Sequence, residues 1–262
     1  MFPHPMIGRS PEELAGYAES FKSSTPARHL VIDNFLDVDV ANGLLDDFPK
    51  PGEMPKSRDY MFSDKRELST LDRHSEASRA LHKAIMSDEF VAFLGSLVGH
   101  DVFIDPEYVG GGFHAGPRGS FLDLHADFNI HPAHTDWLRE LNILIYLNPD
   151  WEESWGGQLI LTDDPDREGI LVEPLFNRLV IMESTDISFH GYHKLNFPEG
   201  IARRSIASYA YSKIEDGAIT RRTTTWVPED SGRVKSVLAK NWNWMVLTKN
   251  KFFGSGTLKN RR

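Results

Sequence analysis

Between residues 101 and 211 the chain runs as short β-type segments separated by glycine, proline, asparagine and aspartate, and nothing else in it restricts the fold as strongly. The segments are 102–104, 108–113, 120–127, 141–147, 158–161, 169–172, 178–182, 187–190 and 203–211. Many short strands at a spacing of about 8–15 residues, each closed by turn-forming residues, predict a closed or sandwich-like β-domain. The alternation within 141–147 assigns faces: Leu141, Ile143 and Ile145 to one side, Asn142, Leu144 and Tyr146 to the other.

The first hundred residues have a helical texture. Ser10-Pro11-Glu12-Glu13 reads as a helix start, with serine as cap, proline in the first turn and glutamate three residues after the cap. A strand is expected at 30–32, a helix capped by Asp37 or Asp39 and stopped before Pro49, then loop over 50–75. A helix over 75–86 and another opened by Ser87 and closed by Gly99 follow. A further helix is expected near 234–247. Neither an internal repeat nor a linker is visible. The expectation is therefore one domain over 1–262: helical support (1–100), β-core (101–212) and a basic C-terminal extension (213–262).

Net charge is −9, distributed unevenly. From Arg221 to Arg262 ten Lys or Arg face only Glu229 and Asp230, a net of +8 that leaves −17 on the rest. An acidic body disfavours phosphate contacts, so nucleic acid is not an expected partner. The basic tail would meet an acidic partner or pack on the acidic body. Cysteine is absent, which excludes disulfides, thiolate metal sites and cysteine nucleophiles and fits a cytoplasmic location. With no apolar leader in residues 1–10 and no run of about 18 apolar residues, a soluble protein is expected.

His125-Ala126-Asp127 closes one of the β-type segments, and His190 closes another. Residues two apart on a strand project from the same face. A histidine from a distant strand completes a two-histidine, one-carboxylate set, the facial arrangement that leaves open positions on non-haem Fe(II). Hydrogen-bonded core histidines and a turn-capping aspartate are the plainer explanation of each residue alone. His193 competes with His190 but follows Gly191-Tyr192 as loop. His131 and His134, in the loop 128–137, read as a lid or substrate contacts, and Asp123 as support for a ligand or as a solvated carboxylate. Arg203 and Ser205 share one face of the last core strand. An arginine turned into a barrel calls for an anion, and a carboxylate held bidentately suits it.

The stretch 139–151, followed by Trp155-Gly156-Gly157-Gln158-Leu159, resembles the prolyl-hydroxylase branch of the Fe(II)/2-oxoglutarate-dependent oxygenases. So does Glu173-Pro174-Leu175-Phe176-Asn177-Arg178-Leu179-Val180, leading to Ser188-Phe189-His190 and Arg203-x-Ser205. The similarity covers about residues 101–212, with weaker support from 30–49. It implies a mainly β protein with flanking helices, built on a double-stranded β-helix (jelly-roll) core. It implies iron on His125, Asp127 and His190, and Arg203 on the distal carboxylate of 2-oxoglutarate. Tyr146 would donate its hydroxyl to that group, with Asn142 and Ser205 as further pocket residues. Fe(II), 2-oxoglutarate and O2 are the expected cofactor and cosubstrates, with ascorbate as an optional reductant. The implied reaction hydroxylates an unactivated C–H of an amino acid, prolyl peptide or small metabolite and releases succinate and CO2. Related halogenases lack the carboxylate ligand, so Asp127 favours hydroxylation. The alternatives are a cupin-type metal dioxygenase without 2-oxoglutarate, against which Arg203 speaks, and a catalytically silent β-barrel binding module, against which the triad speaks.

Overall fold

The computed structural model describes residues 9–56 and 62–229. In chain order its elements are α1 (Pro11–Ser23), β1 (His29–Ile32), α2 (Val38–Asp46), β2 (Arg66–Leu68), α3 (Glu76–Ile85), α4 (Asp88–Val98), β3 (Phe103–Ile104), β4 (Gly112–Gly116), β5 (Leu122–Ala126), β6 (Trp137–Tyr146), β7 (Leu159–Thr162), β8 (Ile170–Val172), β9 (Arg178–Glu183), β10 (Phe189–Tyr192), β11 (Arg203–Lys213) and β12 (Thr225–Val227). None of these helices is long and apolar enough to cross a membrane. The helix expected near 234–247 lies outside the described residues, as does most of the basic tail.

The strands form two sheets. The larger has the order β1-β9-β6-β11-β4-β2, with β3 also paired to β11, and the smaller the order β12-β5-β10-β7-β8. All recorded pairings are antiparallel. This is the mainly β, jelly-roll arrangement with flanking helices that the strand pattern and the resemblance imply.

Period-two alternation sets what each face does. Leu141, Ile143 and Ile145 of β6, Leu179 and Ile181 of β9 and Ile206 of β11 pack into one core with Phe21, Leu44, Leu81, Phe90 and Leu94 from the four helices. Burying a side chain of this kind contributes about 1.5–3 kcal/mol. The opposite face of β6 and β9 turns toward the smaller sheet, where Tyr146, Val180 and Met182 meet Leu159, Leu161 and Val172.

The helices begin where the caps predict. Ser10 Oγ accepts the Glu13 amide (3.2 Å) while Glu13 accepts the Ser10 amide (2.8 Å), Ser87 Oγ accepts the Phe90 amide, and Gly99 ends α4 with φ +84°. Two asparagines tie the ends of the core strands. Asn148, just past β6, accepts the Arg204 amide (2.6 Å) and donates to the Pro174 carbonyl (2.6 Å). Asn177 (φ +58°) exchanges two bonds of 2.8 Å with Leu36 and donates its own amide to the Tyr146 carbonyl. These ties hold Tyr146 and Arg203 at one end of the larger sheet.

Several expectations need correction. The charged stretch 50–75 is not all loop: β2 lies within it and pairs with β4, Glu67 opposite His114. The run expected at 108–113 is mostly turn, with Tyr108, Gly110 and Gly112 at positive φ, and the strand starts at Gly112. β6 starts at Trp137 rather than 141. The C-terminal extension contributes a strand, β12, to the smaller sheet beside β5.

Candidate active site

β5 and β10 are neighbours, and His125 and His190 are direct cross-strand partners with ring centroids 4.2 Å apart. Asp127 follows β5 and reaches both rings, with Oδ1 3.7 Å from His125 Nε2 and Oδ2 3.6 Å from His190 Nε2. One ligand atom from each residue falls within 4.8 Å of the others, the one such group among the described residues. His125 Nδ1 lies 3.0 Å from the Asp123 carbonyl, a contact that places the proton on Nδ1 and turns the Nε2 lone pair toward Asp127 and His190.

The protonation states suit a cation. Burial, then the proximity of His190, pushes His125 down to about 3, and burial likewise lowers His190, so both imidazoles are neutral donors. Burial alone would raise Asp127. The charges of Arg139, His190 and His125 and the Asn142 hydrogen bond outweigh it and hold the carboxyl well below the usual range. Two neutral imidazoles and one carboxylate, converging in a buried pocket, are a donor set that fits Fe(II).

Asp127 is itself gripped. Asn142 Nδ2 donates to Oδ2 (2.7 Å), Arg139 Nη2 stands 3.5 Å away, and Arg139 Nε donates to Asn142 Oδ1 (2.9 Å). Arg139 is buried, with its guanidinium 3.5 Å from the centre of the Tyr209 ring. Asn142, expected in the cosubstrate pocket, does line the cavity, but its hydrogen bonds go to Asp127 and Arg139. Arg139 was outside every strand expected from the sequence. Its position three residues before Asn142, on a strand beginning at Trp137, is the signal that would have found it.

His125, Asp127, His190, Asn142, Tyr146, Arg203 and Ser205 all line one cavity between the sheets. Arg203 is buried. It donates through Nε to the Gly157 carbonyl (2.7 Å) and through Nη2 to Tyr146 Oη (3.1 Å), and packs on the rings of Tyr192 and Tyr146. Among the described residues no carboxylate pairs with it. A buried guanidinium without a counter-ion, aimed into a cavity, fits an anionic ligand. Gly157 (φ +87°) is needed here, since a Cβ would lie 3.0 Å from Arg203 Cδ and 2.9 Å from Leu195 Cδ2. Ser205 pairs with Tyr146 on one side and His114 on the other, in one row across the cavity face.

The remaining histidines separate cleanly. The His193 side chain is 66% exposed and bonds Glu229 (2.9 Å), outside the triad. His131 is fully buried, with Nε2 3.5 Å from Asp105 and its ring against Trp137 and Tyr211, so it anchors the loop 128–137 rather than covering the site as a lid. Asp123 is buried and accepts the Glu229 amide, which excludes the solvated reading. Sequence reasoning also missed Trp226 of β12. It is paired with His125 in register and stacked on that ring at 4.6 Å, with Phe62 stacked at 5.0 Å on Trp226.

Residues 111–211 match the family described as the 2OG-Fe(II) oxygenase superfamily. Among solved structures the chain is similar to a prolyl-4-hydroxylase from Pseudomonas putida, with 18% identity, TM-score 0.55 and coverage of 77% of this chain and 99% of that one. It is also similar to a prolyl hydroxylase from Trichoplax adhaerens in complex with a peptide fragment of the hypoxia inducible factor oxygen degradation domain, with 18% identity, TM-score 0.53 and coverage of 79% and 95%. A third is the non-haem α-ketoglutarate-dependent epimerase SnoN from nogalamycin biosynthesis, with 13% identity, TM-score 0.51 and coverage of 84% and 87%. No curated protein matches the chain. These likenesses share the fold; the family match spans the strands that carry the triad, Tyr146 and Arg203. The match to the 2OG-Fe(II) oxygenase superfamily thus lies on the core that carries the His125, Asp127 and His190 cluster.

Proposed function

We propose that this enzyme hydroxylates an unactivated C–H bond of an amino acid, a prolyl peptide or a small metabolite. His125, Asp127 and His190 hold Fe(II) in this reading. Arg203 and Tyr146 receive the distal carboxylate of 2-oxoglutarate. Bound Fe(II) supplies O2 activation coupled to decarboxylation of 2-oxoglutarate to succinate and CO2. The chain does the rest. Asn142 and Arg139 fix the Asp127 carboxylate, and the Asp123 carbonyl fixes the His125 ring. Leu144, Leu159 and Met182 supply an apolar part of the cavity wall beside these polar groups.

The observation that carries the reading is the buried Arg203, without a carboxylate partner among the described residues, opening into the same cavity as the triad. A metal dioxygenase that did not use 2-oxoglutarate would have no use for that charge. Prolyl peptides enter the substrate range because the Trichoplax adhaerens protein of the same fold is described with a peptide bound. The test incubates the full chain with Fe(II), 2-oxoglutarate and O2 against amino acids, prolyl peptides and small metabolites. Succinate is measured, and products carrying one added oxygen atom are sought by mass spectrometry. Succinate with an oxygenated product supports the reading; absence of both 2-oxoglutarate binding and succinate formation overturns it.

A further inference from the structure

We propose that Trp226 is a positioning residue of the metal site: stacked on His125, it holds that imidazole at the tilt from which Nε2 meets the ion. The inference rests on the reading of His125, Asp127 and His190 as metal ligands.

β10 flanks β5 on one side and β12 on the other. Without β12, the strand that carries His125 and leads into Asp127 would be the edge of the smaller sheet. The returning segment follows this strand beyond the three paired residues. At one end Asn129 Oδ1 accepts the Arg222 amide (2.7 Å), the Arg222 carbonyl accepts the Asn129 amide (3.3 Å), and Asn129 Nδ2 donates to the Thr220 carbonyl (3.0 Å). At the other end Asp123 Oδ1 accepts the Glu229 amide (3.4 Å). Residues 220–229 are thus fastened to the ligand strand on both sides of His125.

The register of that pairing sets Trp226 opposite His125, with the two ring planes 24° apart and their centroids 4.6 Å apart. His190 is the partner of His125 on the other strand, its ring tilted by 45° at 4.2 Å. The His125 ring therefore stands in a row between an indole and a second imidazole. Phe62 stacks on Trp226 in turn, 13° from parallel, and its carbonyl accepts the Asp123 amide (2.9 Å), which ties the backing ring to the same strand. The contact of His125 Nδ1 with the Asp123 carbonyl fixes one direction in the ring plane. A single hydrogen bond leaves the ring free to tilt about that direction, and a tilt carries the Nε2 lone pair away from the other two ligands. A face-to-face aromatic contact opposes this motion.

The test titrates full-length parent and variants with Co2+, reading affinity by calorimetry and ligand geometry by the visible absorption of the bound ion. The urea midpoint of each metal-free protein is recorded beside them, because a buried tryptophan contributes to stability whatever else it does. Trp226→Leu, which fills part of the space without a ring, should bind Co2+ about 3- to 10-fold more weakly, the worth of one aromatic pair, and should shift the absorption bands. Trp226→Phe, which restores a ring, should return both toward the parent. Trp226→Met takes the place of the leucine variant, with the same expectation, if leucine does not fold. Parental affinity and bands in the ringless variant overturn the proposal however far the urea midpoint falls, because the indole would then be packing alone. A phenylalanine variant no better than leucine also overturns it, because the effect would not come from stacking. If the parent itself binds no Co2+, the reading of the triad as a metal site falls, and the proposal with it.

Discussion

Replacing Arg203 by methionine should separate what this residue does for the fold from what it does for the cosubstrate. In the ligand-free protein two effects compete. The variant loses the bonds to the Gly157 carbonyl and Tyr146 Oη, each about 1 kcal/mol net. It also loses a buried charge with no counter-ion among the described residues, whose desolvation costs several kcal/mol. The second effect is larger, so the urea midpoint of the ligand-free variant should be equal to or above that of the parent. Binding moves the other way. A hydrogen-bonded contact between a guanidinium and a carboxylate contributes about 1.5–3 kcal/mol, so 2-oxoglutarate should bind about 10- to 150-fold more weakly. With Mn2+ present and 2-oxoglutarate at about 100 times the parent's Kd, the parent gains about 2.7 kcal/mol of stability and the variant only about 0.3–1.4 kcal/mol. Urea titrations with and without 2-oxoglutarate read both quantities. A variant that keeps the full ligand-induced stabilisation refutes the assignment of Arg203.

Asp127→Ala should abolish iron-dependent succinate formation and metal binding, whereas His193→Ala, altering an exposed ring, retains both; a metal titration that loses binding in the His193 variant would reverse the ligand assignment. Asn142→Leu removes the 2.7 Å bond to Asp127 and should lower metal affinity about 10- to 100-fold by calorimetry; unchanged affinity would show that Asp127 does not depend on this support. His114 and His125 are both pushed down to about 3 by burial, from an ordinary value of 6.5. Between those values the unfolded chain binds more protons than the folded one, so metal-free stability is complete above about pH 6.5 and falls as the pH drops through the window. His114→Gln should flatten the fall in urea midpoint between about pH 7 and 5, and a decline as steep as the parent's would contradict the burial argument.

The sequence is most readable where one local rule acts alone. Ser10 with Glu13, Ser87, and Gly99 place helix ends because capping needs only neighbours in the chain. His125 and Asp127 declare a shared strand face through their spacing, and Tyr146, Arg203 and Ser205 through the period of two. Residues whose roles arise from pairing between distant strands stay hidden. β2 has three residues amid charge and no pattern of its own; its pairing with β4 makes it a strand and turns Lys65 into the cavity. Trp226 is an unremarked aromatic in a basic tail until β12 sets it on His125. The face of Asn142 is readable, but its choice of Asp127 over a ligand depends on where β5 ends relative to β6.

The His125–His190 pair spans two strands of the smaller sheet, while Asn142 tethers Asp127 to the larger one. An ion held by all three is thus bound from the smaller sheet alone, and the Asn142 bond carries its position across to the larger layer.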